Sequence, residues 1–76
     1  MRPYLRLKFE RHARGWRQID VARLARIPQP TVSAIESGRL NPTHGELERL
    51  ADALRVSPPE ALLKPVAVAD PEEQTV

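Results

Sequence analysis

The chain has 76 residues, no cysteine and a formal charge of +2. That length allows one domain with a thin core, in which roughly 60% of the unfolded surface is buried. The lack of cysteine excludes disulfides and thiolate metal sites, and no apolar run nears the roughly 18 residues of a membrane span or forms a signal-peptide apolar region.

Pro3 suits the first turn of a helix, where a missing N–H costs nothing. Leu5, Phe9, His12 and Trp16 follow at intervals of 4, 3 and 4, which predicts one apolar stripe on a first helix ending near Arg14, with Gly15 as its stop. His12 reads as a packing residue beside that stripe, since no cysteine or second nearby histidine joins it. Trp16 reads as core.

A second helix is expected from about Gln18 to Ala25, with Val21, Ala22 and Ala25 on one face. Ala22 is small enough for another helix to cross close above it. Arg17 falls at the N-cap, where it cannot accept a backbone N–H and its charge opposes the helix dipole. Two readings of Arg17 stand side by side: a phosphate contact, or a solvated side chain paired with Asp20. Next comes Arg26-Ile27-Pro28, where a turn of this kind usually wants glycine. Either Arg26 accepts a left-handed conformation at a cost of about 1 kcal/mol, or the turn differs. Arg55 stands in an equivalent context.

A third helix is expected from about Gln29 to Ser37, with Pro30 acceptable in its first turn. Val32, Ile35 and Glu36 face inward, and Gln29, Pro30, Ser33, Ala34 and Ser37 lie outside. Two short amphipathic helices joined by a tight turn form a helix-turn-helix, whose second helix enters a DNA major groove. Gly38 ends the third helix, and Arg39-Leu40-Asn41-Pro42 forms a loop. Thr43-His44-Gly45-Glu46 has the form of a capping box and opens a fourth helix with the stripe Leu47, Leu50, Ala51 and Leu54. Ser57-Pro58-Pro59-Glu60 has the same form and opens a short fifth helix with Leu62 and Leu63. The domain is expected over residues 1–64. Residues 65–76 read as a flexible tail or linker stub, although Val66 and Val68 could pair as a strand in a dimer.

Charge divides the chain unevenly. Residues 1–39 hold nine Lys/Arg against three acids, and residues 40–76 hold three against seven. A basic half beside an acidic half suits a polyanion facing one side. Catalysis finds no support: the histidines and carboxylates show no metal spacing, no phosphate loop and no nucleophile–base arrangement, so neither enzyme, metal nor cofactor is expected.

Residues from about 5 to 63 resemble the phage-repressor-like (Cro/lambda-repressor-like, XRE-type) helix-turn-helix family. Arg11 four before Gly15, then Gln18, Val21-Ala22, Ala25, Ile27, Gln29, Thr31-Val32-Ser33, Ile35-Glu36, Gly38 and Asn41-Pro42 carry the resemblance. It implies an all-α, compact five-helix domain that binds double-stranded DNA as a small transcriptional regulator, a repressor in the first instance. By position, Gln18 would touch a phosphate and brace Gln29, which would read a base edge. Thr31 would bond a phosphate or sugar, Pro30 and Ala34 would offer apolar contact, and Arg17, Ser33, Arg39 and the main chain near Asn41 would complete the DNA-facing set. Arg11 and Glu36 match a family ion pair tying the first helix to the third. Arg17, Pro28 and Ala34 depart from the family pattern, which shifts weight from base contacts to phosphate and shape. Family members also act as antitoxins that hold a toxin protein, or as controllers of restriction–modification operons. A cytoplasmic, nucleoid-associated homodimer built through the fifth helix and the tail is expected, because one module alone covers little DNA.

Overall fold

The computed structural model describes residues 2–68. In chain order it forms β1 (Arg2–Leu5), α1 (Arg6–Ala13), α2 (Gln18–Ala25), α3 (Gln29–Glu36), α4 (His44–Leu54), a 3₁₀ helix (Pro59–Leu63) and β2 (Pro65–Val68). The two strands pair antiparallel, with Tyr4 opposite Val66 and Leu5 opposite Pro65.

Four α-helices thus take the place of the expected five, and the fold is not purely helical. The fifth segment is a 3₁₀ helix whose N-cap is Pro58 rather than Ser57, with no side-chain cap, so the second capping box does not form. Residues 65–68, expected to begin a tail, lie inside the fold as β2, and their pairing partner is β1 of the same chain rather than a second copy. Residues 69–76 of that expected tail lie outside the described residues.

The start of the chain also differs from expectation. Pro3 lies in β1 rather than in the first turn of α1, which begins at Arg6. The inward face of α1 is Leu7 and Arg11, while Phe9 is 38% exposed and His12 is exposed. An apolar stripe cannot reveal this face, because one of its two buried members is charged. Trp16, expected in the core, is half-buried and packs against its edge.

The remaining core follows from periodicity. Val21, Ala22 and Ala25 of α2, Val32 and Ile35 of α3, and Leu47, Leu50, Ala51 and Leu54 of α4 are all buried. α2 packs on both α3 and α4, and the 3₁₀ helix closes the core with Ala61 and Leu62 against α4 and α1. Leu62 is fully buried within the single chain, so the apolar surface expected to join two copies there is largely consumed internally.

All four α-helices stop by one device. In each, a residue two or three places past the helix donates its N–H back to the carbonyl five residues earlier: Trp16 to Arg11 (3.1 Å), Ile27 to Ala22 (2.9 Å), Arg39 to Ala34 (2.9 Å) and Val56 to Ala51 (3.0 Å). The residue just before that donor must turn left-handed. Gly15 and Gly38 do so freely, whereas Arg26 (φ 57°) and Arg55 (φ 56°) do so against their side chains. Ile27 and Val56 drop into the core immediately afterwards, and their burial offsets the strain. Arginines complete these ends: Arg49 Nε donates to the Ala25 carbonyl at 2.9 Å, and the Arg14 guanidinium donates to the Leu54 carbonyl.

Among the described residues no helix is long and apolar enough to cross a membrane, and no group of three His, Cys, Asp or Glu could hold a metal ion.

Candidate nucleic-acid interface

α2 and α3 meet through the turn Arg26-Ile27-Pro28; α2 has the predicted bounds, and α3 ends at Glu36, one residue short of the predicted Ser37, which is its C-cap. Val32, Ile35 and Glu36 hold α3 down. Its other side is accessible: Pro30 is exposed, and Gln29, Thr31, Ser33 and Ala34 are half-buried. Arg17 before α2, with Arg39 and Asn41 after α3, is exposed, while Gln18 is half-buried. The nine expected site residues therefore lie outside the core, clustered at the start of α2, along α3 and in the loop that follows.

α3 carries no cation, and its single charged residue is the buried Glu36. The cations stand at the flanks. Arg39 occupies the helix-ending position that holds Trp16, Ile27 and Val56 in the other three helices, so an apolar plug is replaced by an exposed guanidinium beside the end of α3. Its Nε donates to Ser37 Oγ at 2.8 Å. Arg17 meets Asp20 at 3.3 Å in an exposed pair, a contact worth little in water and readily given up to another anion. The Asp20 carboxyl sits below its ordinary range, chiefly because it accepts the Arg17 backbone N–H and then because of the Arg17 side chain. α3 opens at Pro28 without a side-chain cap, in contrast to the full capping box between Thr43 and Glu46 on α4.

A continuous chain of hydrogen bonds runs beneath this surface. Gln29 Nε2 donates to Gln18 Oε1 at 2.8 Å, and Gln18 Nε2 donates to Glu36 Oε1 at 3.1 Å. Arg11 grips Glu36 through Nε to Oε2 (2.7 Å) and Nη2 to Oε1 (3.0 Å), and its Nη1 donates to the Trp16 carbonyl at 2.8 Å. The pairs Arg11–Glu36 and Gln18–Gln29 are those the family resemblance implies. Their union through Gln18 and Glu36 is new, because residues 18 apart on different helices leave no local pattern. No buried side-chain N or O among the described residues lacks a partner.

His12 lies against this chain, its Nε2 3.3 Å from Arg11 Nη2. Although the residue is exposed, loss of water along the ring edge that meets Arg11, then the nearby charges of Arg11 and Lys8, lower its pKa.

No curated protein and no solved structure shows significant similarity to the chain. A family model described as a helix-turn-helix domain matches residues 5–63, and the chain belongs to that family, which implies DNA binding.

Proposed function

We propose that the protein binds double-stranded DNA sequence-specifically as a small transcriptional repressor, with α3 in the major groove. The observation that carries this reading is the bracing of Gln29 by Gln18 on the accessible side of α3. A side chain at the start of a helix, its amide held by a neighbouring helix, is prepared to meet a base edge with little loss of freedom.

The neutral face of α3 and its basic flanks divide the work. Gln29, Pro30, Ser33 and Ala34 face the bases, while Gln18, Thr31, Arg17, Arg39 and the main chain near Asn41 position the helix on phosphates. The uncapped start of α3 adds the Gln29 N–H and the positive end of the helix dipole, while Pro30 has no N–H and those of Thr31 and Val32 go to the Pro28 carbonyl. One module covers roughly 600–1,000 Å² of DNA, so two copies on half-sites about one helical turn apart supply the affinity.

Selection of bound duplexes from a random pool tests the reading. A recovered motif with two-fold symmetry, bound at fixed salt more tightly than its scrambled version, is the expected result. Equal binding of all duplexes would refute sequence-specific recognition.

A further inference from the structure

Resting on the reading that Gln29 meets a base edge, we propose that the buried Glu36, which does not touch DNA, decides which bases Gln29 accepts. The argument is one of hydrogen-bond direction. A guanidinium only donates, and the carboxylate that Arg11 holds only accepts. Gln18 must therefore turn its Nε2 to Glu36, which it does at 3.1 Å, and offer its Oε1 to Gln29. Gln29 must in turn spend one N–H on that oxygen, at 2.8 Å. The orientation of both amides follows from the acceptor at the buried end of the chain.

Gln29 is then left with its Oε1 as acceptor and one N–H as donor. Adenine, with a donor at N6 and an acceptor at N7, satisfies both. Cytosine offers the N4 donor alone, while guanine O6 and thymine O4 confront the amide oxygen with another acceptor. The neighbours do not relax this choice, since Pro30, Ser33 and Ala34 supply no cation for guanine. Glu36 is thus a positioning residue that imposes adenine first and cytosine second at one base pair of each half-site.

Removing the buried acceptor should release the preference. Glu36 Oε1 accepts from both Arg11 Nη2 and Gln18 Nε2, so it is removed together with Arg11 in the double variant Arg11→Met, Glu36→Leu, which leaves no buried charge alone. Gln18 is then free to offer Gln29 either its oxygen or its NH₂, and in the second case the Gln29 NH₂ is left for the groove, where guanine N7 and O6 match it.

The test compares the original protein, Gln29→Ala and the double variant Arg11→Met, Glu36→Leu by selection from a random duplex pool, followed by binding to four duplexes that differ only at the base pair where Gln29→Ala loses preference. The original protein should favour adenine there over guanine by at least about fivefold, and the double variant by less than about twofold. A double variant that folds and keeps the full adenine preference overturns the proposal. If it does not fold, Gln18→Met decides, because it leaves the Arg11–Glu36 pair in place but releases the Gln29 amide. A flattened preference in Gln18→Met supports the proposal, and an unchanged one overturns it. If Gln29→Ala alters preference at no position, the underlying reading of Gln29 fails instead.

Discussion

Arg11 on α1 and Glu36 on α3, 25 residues apart, meet in a two-pronged ion pair of 2.7 and 3.0 Å that is buried on both sides. The pair fixes how α1 sits against the helix-turn-helix, and every polar contact leading to Gln29 begins from it. Burial makes it a device for orientation more than a source of net stability, because each charge gives up water to enter.

Removing one partner should therefore be far worse than removing both. Arg11→Met leaves a buried carboxylate alone, at a cost of about 3–5 kcal/mol and a fall in Tm of at least about 10 °C. Arg11→Met combined with Glu36→Leu should recover most of the loss in the same thermal melts. A single-variant loss below about 1 kcal/mol would show that the carboxylate is not shut away from water.

Arg26 holds a left-handed backbone at φ 57° where the chain ends α2 and sends Ile27 into the core. Arg26→Gly relieves the steric strain while loosening the unfolded chain, for a net gain of about 0.5 kcal/mol. Arg26→Val should lose about 1 kcal/mol, since a β-branched side chain tolerates that conformation worst. Urea denaturation of the two variants checks the opposite signs.

Glu10 accepts from Arg14 at 2.8 Å and from Arg6 at 2.9 Å, and these bonds, that of Arg14 first, hold its carboxyl below the ordinary value of 4.5. A carboxyl lowered by folding adds stability above its unfolded value and loses it as pH falls through its folded one. Stability should accordingly decline as the solution is acidified below 4.5, and less steeply in Glu10→Gln. Denaturant midpoints near neutrality and at about pH 3 measure this, and an equal decline in both proteins would remove Glu10 as a cause.

Arg39 stands exposed where the other helix ends pack an apolar residue against the core. Arg39→Ala should weaken binding to all duplexes alike and reduce the slope of log K against log salt by about 0.9, the loss of one phosphate contact. An unchanged slope would place Arg39 outside the interface.

The amino-acid sequence by itself determined the helix-turn-helix, the inward faces of α2, α3 and α4, the Thr43 cap and the accessible face of α3. Each rests on contacts within one or two helical turns, where spacing alone dictates which side chains share a side. It misjudged both ends of the domain. Strand β1 exists only because β2 returns to pair with it some sixty residues later, and the true inner face of α1 is hidden in sequence by the charge of Arg11. The same distance problem conceals the bond from Gln18 to Glu36. Only the tertiary structure could decide it, because the direction of a buried hydrogen-bond chain is set by whichever donor or acceptor folding brings to its end.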